Sequence, residues 1–334
     1  MSYPNRFEKL NRRQLLQWGL VAGVGCAGSA LAWNQWNKAR SSDGVRIPPI
    51  PDQMPKEATV NPFGVLRDFD YGTVTQENGR TVREFRVEAR TSEIKLNGST
   101  SFVTWNLNGR VPGPTFRATE GDRIRVIFYN RAGHSHSLHF HGVHPSEMDG
   151  VKPVRNNNVM IYEFDAEPYG VQLYHCHIEP ITRHIGKGLY GMFIIDPPTP
   201  RPPADEMVMI MAGYDTNDDR KNELYAFNGV PDYYMHHPIP IQQDQLIRLY
   251  LLNLIEFDPV ATFHLHANMF RVYPTGRTRE PRDETDVITM GTAERHILEF
   301  SFHHTGKFMF HPHQDTMAEA GCMGMFDVIP NVKA

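Results

Sequence analysis

Hydrophobic and polar residues alternate along much of the chain from about residue 65 onward. In TVREFRVEAR (81–90) apolar residues stand between charged ones, and segments 100–109 and 115–130 follow the same two-residue period. A Gly-Asp turn at 121–122 divides the last of these segments. A period of two is typical of β-strands with one buried face. The pattern therefore predicts many short strands joined by turns.

The second half of the chain repeats, in the same order, short motifs of the first half. The matching segments are NGRVPG and NGVPDY, GDRIRVIFYN and DQLIRLYLLN, SLHFHG and TFHLHA, QLYHCH and FMFHPH, and GLYGMFII and GCMGMFDV. Matches in a constant order indicate an internal duplication. A proline-rich stretch at 195–206 lies between the halves. We therefore predict an all-β fold with two antiparallel β-sandwiches, at 65–197 and 204–330.

The first residues are typical of an export signal. Arg12 and Arg13 form a twin arginine before an apolar run, 18–32, that is too short to cross a membrane as a helix. The run ends in an A-x-A cleavage pattern, and the twin arginine resembles a bacterial Tat signal. A Sec signal or an uncleaved anchor is the alternative, and Cys26 is a poor lipoprotein site.

We expect residues 1–32 to be removed and the mature protein to be periplasmic or secreted, without stable membrane insertion. A polar, proline-rich arm is predicted at 33–64. The whole chain is 40% hydrophobic and 22% charged, as expected of a soluble globular protein, and its formal net charge is −4. No basic patch indicates a nucleic-acid partner.

Histidines occur in pairs at matching places of the two halves. The chain has 17 histidines and 3 cysteines, and four H-x-H pairs in strand-like contexts stand out: His139/His141, His175/His177, His264/His266 and His311/His313. On a strand, residues i and i+2 face the same side, so each pair presents two imidazoles in one direction. Converging neutral imidazoles suit copper or zinc, and eight of them are enough for a cluster of about three ions.

Cys176 stands between the two histidines of one pair and therefore points to the opposite side of its strand. We predict a separate site on that side, formed with His136 and His184. Two histidines and a cysteine thiolate are the ligand set of a blue-copper site, usually completed by a weak axial methionine. Leu189 occupies the expected axial place, and because leucine cannot coordinate, a higher reduction potential is expected.

The second half lacks this separate site. Ala261 stands at the place of His136, and Pro312 at the place of Cys176, whereas both H-x-H pairs remain. The two kinds of site are therefore separate units. Cys322 is expected to be a buried free thiol, and a disulfide between the two mature-chain cysteines is the alternative.

Two stretches, HSLHFHG (136–142) and YHCHIEPITRHIGKGLYGM (174–192), resemble the H-P-x-H-L-H-G and H-C-H motifs of multicopper oxidases. The resemblance covers nearly all of 65–330. It implies two tandem cupredoxin-like Greek-key β-sandwiches, similar to two-domain laccase-like enzymes with type 1 copper in the N-terminal domain. Ser137 departs from the family motif, which has proline there.

The resemblance implies four copper ions per subunit: one type 1, one type 2 and two type 3. By position, His136, Cys176 and His184 would hold type 1 copper beside Leu189. The remaining ligands would be His139 and His264 for type 2 copper, and His141, His175, His177, His266, His311 and His313 for the type 3 pair.

The resemblance also implies an oxidase that takes electrons from a small donor and reduces O₂ to water at a cluster between domains. Asp149 and Glu179 are the candidate carboxylates for proton supply. The resemblance to two-domain members further implies a homotrimer, in which the first domain of one subunit meets the second domain of the next.

Three other functions compete with this interpretation. A copper-containing nitrite reductase uses one type 2 copper and does not need four H-x-H pairs. A periplasmic copper store or electron carrier does not need both kinds of site. An oxidase of Cu(I), Fe(II) or Mn(II) would share the same machinery, because the sequence does not indicate whether the donor is a phenol, an amine, a metal ion or a redox protein.

Overall fold

The computed structural model describes residues 60–331. The predicted export signal, 1–32, and most of the predicted arm, 33–59, lie outside the described residues. The end of the predicted arm enters helix α1 (Pro62–Arg67), which the Asn61 side chain caps by accepting the Gly64 N–H at 3.1 Å. Among residues 60–331, no helix has the length and apolar character needed to cross a membrane.

Two β-sheets form the first half. Their strands are β1 (Phe69–Asp70), β2 (Thr73–Glu77), β3 (Arg80–Lys95), β4 (Ser101–Leu107), β5 (Thr115–Thr119), β6 (Arg123–Asn130), β7 (His139–Phe140), β8 (Val159–Asp165), β9 (Gly170–His175) and β10 (Tyr190–Asp196). One sheet has the order β1-β5-β10-β9-β7, and the other has β2-β3-β6-β8 with β4 paired to β3. The predicted turn at 121–122 separates β5 from β6.

Two further sheets form the second half. Their strands are β11 (Asp205–Tyr214), β12 (Leu224–Phe227), β13 (Ile239–Gln242), β14 (Ile247–Leu254), β15 (Val260–Leu265), β16 (Phe270–Pro274), β17 (Asp283–Thr285), β18 (Val287–Gly291), β19 (Arg295–Phe300), β20 (Gly306–His311) and β21 (Gly324–Ile329). The sheet orders are β12-β11-β14-β19-β16-β17 and β13-β21-β20-β15-β18.

The sheet orders repeat between the halves. The run β5-β10-β9-β7 corresponds to β13-β21-β20-β15, and β4-β3-β6-β8 corresponds to β12-β11-β14-β19. The parallel pairs also correspond, because β5 with β10 matches β13 with β21, and β3 with β6 matches β11 with β14. The predicted all-β fold and internal duplication are confirmed, but the sheets are mixed and not antiparallel as predicted, because each contains a parallel pair.

Short helices interrupt the strands, and two of them lie at matching places of the halves. Besides α1, they are a 3₁₀ helix (Ser146–Met148), α2 (Ile181–Gly186), α3 (Tyr233–His236) and α4 (Asp315–Glu319). Helix α2 lies between β9 and β10, and α4 lies at the corresponding place between β20 and β21. The proline-rich residues 197–204 form no strand and connect the halves. The predicted domain limits at 197 and 204 stay predictions.

Strand β11 shows how the two halves pack against each other. Its Met207, Met209 and Met211 are buried in the core of the second half. Val208 and Ile210, on the other face, pack with apolar residues of β9 and β10 from the first half. Because both faces are covered, the strand is a continuous apolar run.

Candidate metal centre

The three predicted ligands of the separate cysteine site lie together in the protein interior. The Nδ1 atoms of His136 and His184 are 3.1 Å apart. Cys176 Sγ lies 3.1 Å from His184 Nδ1 and 3.8 Å from His136 Nδ1. The exposed fractions of His136, Cys176 and His184 are 0%, 0% and 4%. We call this group the cysteine site.

Each member of the cysteine site comes from a different element. His136 is held by a bridge to Val154, with backbone hydrogen bonds of 3.1 and 2.8 Å. Cys176 directly follows β9, and its N–H donates to the Leu189 carbonyl at 3.0 Å. His184 lies in α2, and its carbonyl accepts the Leu189 N–H at 3.3 Å. The buried Leu189 therefore ties the cysteine to His184 without adding a donor atom.

The distances in the cysteine site match those between ligands of one metal ion. In zinc sites, imidazole nitrogens at about 2.0–2.1 Å and a thiolate at about 2.3 Å from one ion lie roughly 3–4 Å apart. Burial, followed by neighbouring histidines, lowers the pKa of His136 to about 3 and that of His184 to about 4. Both imidazoles are therefore neutral at neutral pH, as metal binding requires. Burial raises the pKa of the Cys176 thiol, so a bound ion must displace its proton.

Four histidines of the first half form a second group at the ends of β7 and β9. His141 Nε2 and His175 Nε2 are 3.2 Å apart. The ring centre of His139 lies 5.1, 5.2 and 5.0 Å from those of His141, His175 and His177. His175 is buried and the other three are half-buried. We call these residues the first histidine group.

The second half carries an equivalent group at the ends of β15 and β20. His266 Nε2 and His311 Nε2 are 2.9 Å apart. The ring centre of His264 lies 4.9, 5.6 and 5.1 Å from those of His266, His311 and His313. His266 and His313 are exposed. We call these residues the second histidine group.

Backbone carbonyls orient corresponding histidines of both groups. The Nδ1–H donors and carbonyl acceptors are His139 and Asp149 (2.7 Å), His264 and Asp286 (2.9 Å), His175 and Cys176 (2.9 Å), and His311 and Pro312 (2.7 Å). Because a carbonyl can only accept, each of these Nδ1 atoms carries the ring proton. Each Nε2 is then free to bind a metal ion.

The tripeptide from His175 to His177 contributes to two groups. Its cysteine belongs to the cysteine site, while both histidine rings belong to the first histidine group. The two rings are 5.9 Å apart with an angle of 27° between their planes, so they lie almost parallel. The two groups therefore lie back to back and share a continuous backbone.

The two histidine groups remain apart within one chain. Their candidate metal-binding sets are separate: His139, His141 and His175 in one, and His264, His266 and His311 in the other. In the part of the chain that the structure describes, no hydrogen bond, ion pair or ring contact joins a histidine of one group to a histidine of the other.

Apolar residues fill the place of the cysteine site in the second half. Ala261 and Pro312 replace the first histidine and the cysteine. The Cys322 N–H donates to the Met317 carbonyl at 3.1 Å, which repeats the contact made by Leu189 in the first half, so Met317 takes the place of the second histidine. All four are buried. Both cysteines among the described residues are free, which confirms the buried thiol at Cys322 and excludes the alternative disulfide.

The two predicted carboxylates differ in their surroundings. Asp149 Oδ1 lies 3.1 Å from His139 Nδ1 and 3.8 Å from His144 Nε2, and its side chain is 40% exposed. Glu179 is exposed. Within residues 60–331, no hydrogen bond or ion pair joins its side chain to a histidine of either group. The structure therefore brings Asp149, but not Glu179, to the first histidine group.

The sequence did not indicate three further residues beside these groups. His144 lies near Asp149, and only its position three residues after an H-x-H pair could have pointed to it. Asp286 holds His264 but follows the second half's first H-x-H pair by 20 residues, because β16 and β17 intervene. The half-buried Trp105 ring lies 4.6 Å from that of His184, and no local motif predicts this contact.

The copper-free chain should lose stability as the pH falls below about 6.5. Burial lowers the pKa of His136 and His141 to about 3 and that of His175 and His184 to about 4, whereas an unfolded histidine titrates near pH 6.5. Between these values the unfolded chain binds more protons, so the free energy of unfolding decreases as pH decreases. The test is the urea midpoint of copper-free protein between pH 7.5 and 5.

His141→Ala should weaken this pH dependence, because it removes one of the four shifted imidazoles. His304→Ala, which removes an exposed histidine, should leave the dependence as it is. Equal slopes for wild type and His141→Ala would contradict the expected burial of a neutral His141.

Comparison with known proteins decides the family. Two sequence profiles of multicopper oxidases match residues 88–200 and 200–332. A crystal structure of a multicopper oxidase is 45% identical, covers 82% of this chain and 98% of its own, and superimposes with a TM-score of 0.80. The chain belongs to the multicopper oxidase family. It is thus a copper-dependent oxidoreductase with a cupredoxin-like β-sandwich fold.

Curated relatives of this multicopper oxidase are less similar. A copper-containing nitrite reductase of Neisseria gonorrhoeae is 25% identical over 271 residues, which are 73% of this chain and 68% of that protein. Laccase-2 of Botryotinia fuckeliana is 33% identical over 141 residues, which are 39% of this chain and 22% of that protein. The chain thus spans about two thirds of the reductase and less than a quarter of the laccase.

Proposed function

We propose that this multicopper oxidase is laccase-like: it oxidises a one-electron donor at type 1 copper and reduces O₂ to water at a three-copper cluster. One observation carries the proposal. Two equivalent histidine groups each offer four imidazoles, and one of them shares a backbone with a buried cysteine site. A site for a single interfacial copper would need far fewer of these imidazoles.

The type of copper that each residue would bind is assigned from its position in the family motifs. His136, Cys176 and His184 would hold type 1 copper, and the adjacent Leu189 offers no donor atom to it. By position in the family motifs, His139 and His264 would hold type 2 copper; they take the same place in their groups, and each donates to the backbone carbonyl of an aspartate. The type 3 pair is held by His141, His175, His177, His266, His311 and His313.

Copper at these positions supplies the one-electron steps and the reaction with O₂. The chain supplies the connections. Cys176 is bonded through the backbone to His175 and His177, which gives electrons a covalent path from the cysteine site to the first histidine group. Asp149 is half open to solvent and 3.1 Å from His139 Nδ1, so it can bring protons to this group.

The cluster forms between copies of the chain. Each chain holds its two histidine groups apart, and exposed imidazoles are present in the second group. Exposed apolar residues adjoin both groups in sequence: Val143 and Val151 in the first half, Val260 and Met269 in the second. Head-to-tail contacts that close into a ring would complete a cluster at each contact, and the resemblance to two-domain members favours a homotrimer.

A copper-containing nitrite reductase is the alternative, and the similarity to the Neisseria gonorrhoeae enzyme favours it. An oxidase of Cu(I), Fe(II) or Mn(II) is a variant of the main proposal with a different donor. We also propose that a Tat-like signal at 1–32 exports the protein to the periplasm or beyond. Detection of the cleaved protein in a periplasmic fraction, and its loss on replacement of Arg12 and Arg13 by lysine, would test this.

Copper content and optical spectra of the copper-loaded mature protein test the proposed function. We expect one type 1, one type 2 and two type 3 ions per chain. A strong visible thiolate-to-copper band and a near-ultraviolet band from a coupled pair should accompany them. Consumption of O₂ with a phenolic donor should follow. A copper content of only half this value, without a coupled pair and with reduction of nitrite, would instead establish the alternative.

Asp149→Asn should slow O₂ reduction by about 10–100-fold, as is usual when a residue that supports a metal ligand is lost. The amide keeps the shape and the backbone carbonyl that orients His139, but it cannot carry a proton from solvent. The visible band should be unchanged. The measurement is turnover against pH, with Glu179→Gln as the control. Equal losses in the two variants would contradict the special role of Asp149.

A further inference from the structure

Ser137 connects the cysteine site with the first histidine group. Its backbone N–H donates to Cys176 Sγ at 3.4 Å, and its Oγ accepts the backbone N–H of His177 at 3.3 Å. The residue is 1% exposed. Among the contacts that oppose the burial-driven rise in the pKa of Cys176, the Ser137 N–H is the largest.

The second half separates the two contacts of this serine. Thr262 stands at the corresponding place, and its Oγ accepts the His313 N–H at 2.6 Å. Its own N–H donates instead to Gln314 Oε1 at 3.0 Å, because Pro312 offers no sulfur. The hydroxyl contact therefore belongs to the framework of both histidine groups. The N–H contact to sulfur is specific to the half that has the cysteine.

We propose that Ser137 is a positioning residue that raises the reduction potential of the type 1 site through its backbone N–H bond to the Cys176 sulfur. This inference rests on the proposed function. A donor to the thiolate withdraws electron density from sulfur, so the sulfur donates less to the metal and the reduced state is favoured. Both residues are buried, and a hydrogen bond is electrostatically stronger in the protein interior than in water.

Two substitutions separate the N–H from the hydroxyl. Ser137→Ala keeps the N–H and removes the hydroxyl, whereas Ser137→Pro removes both. His136 precedes this position in an extended bridge, which is compatible with a following proline. Ser137→Thr keeps both groups and is the conservative control. Thr262→Ala removes the matching hydroxyl in the half without a cysteine.

The measurement is a redox titration of the visible band in copper-loaded protein. We expect Ser137→Pro to shift the equilibrium with a one-electron mediator about tenfold toward the oxidised form relative to Ser137→Ala, which corresponds to about 59 mV. Ser137→Thr and Thr262→Ala should titrate as wild type does. Equal potentials for the proline and alanine variants would overturn the inference.

A measurement on the unaltered protein covers the case in which the proline variant fails to fold. Oxidised wild-type protein labelled with ¹⁵N-serine should show, by electron–nuclear double resonance, a coupling between the copper spin and a serine amide nitrogen. Absence of this coupling, with the visible band present, would overturn the inference alone. Absence of the visible band in copper-loaded wild type would instead overturn the proposed function.

Discussion

Cys176→Ser should abolish the visible thiolate-to-copper band and slow donor oxidation by more than about a hundredfold, since loss of a residue that only supports a ligand already costs about 10–100-fold. The serine hydroxyl is a hard donor that keeps its proton at neutral pH, so it cannot replace a soft thiolate. The neighbouring His136 and His184 would remain, but two imidazoles alone bind copper less tightly.

The histidine groups should survive this substitution. Cys176→Ser leaves the backbone carbonyl that accepts the His175 Nδ1–H at 2.9 Å, so the ring keeps its orientation. Copper content should therefore fall by about one ion per chain, and the near-ultraviolet band of the coupled pair should remain. Absorption spectra and copper analysis of the same sample measure both effects.

Cys322→Ser is the matched control. Cys322 is as deeply buried as Cys176, but its surroundings are apolar and Met317 takes the place of a histidine. Burying a hydroxyl there lowers the stability of the fold by about 1–3 kcal/mol. The visible band should nevertheless be retained. Persistence of the band in Cys176→Ser, or its loss in Cys322→Ser, would contradict the assignment of the type 1 site.

The sequence predicted the parts of this centre that depend on local geometry. In an H-x-H pair the period of the strand alone turns both rings to one side, and the first histidine of each pair does lie in a strand. The second histidine follows the strand, yet the rings of His175 and His177 still lie almost parallel. The internal duplication separated the two kinds of site. Because Ala261 and Pro312 replace His136 and Cys176 in the second half, these two ligands belong to the cysteine site alone.

Contacts between residues far apart in the chain could not be predicted in this way. Asp149 was found because it follows an H-x-H pair closely, whereas Asp286 makes the same contact in the second half after an intervening hairpin. The bond from Ser137 to Cys176 joins residues 39 positions apart. Its existence depends on how β7 and β9 pair, and pairing register is a property of the whole sheet.

Two inactive variants should restore activity to each other when they assemble together. His141→Ala damages the first histidine group and His266→Ala the second, and each variant alone should lack a working type 3 pair. If a cluster joins the first group of one chain to the second group of the next, an equal mixture gives roughly a quarter of the contacts two intact groups. Coexpressed variants should therefore show about a quarter of wild-type turnover.

The two substitutions are matched in geometry. His141 and His266 take the same place in their groups, and each has its Nε2 close to that of a partner histidine, at 3.2 and 2.9 Å. His304→Ala, coexpressed with either variant, is the control for assembly, because it leaves both of its own groups intact. It should also restore turnover, to about half of the wild-type value, since roughly half of the contacts then join two intact groups.

Copper analysis of the mixed assemblies distinguishes the possible outcomes. Recovery of turnover with a matching fraction of coupled copper would locate the cluster between chains. No recovery from correctly assembled mixtures would mean that each chain completes its own cluster. The histidine groups of one chain would then have to move together on binding copper, because no contact joins them among the described residues. The mixing experiment thus tests the ring assembly and the separation of the two groups at once.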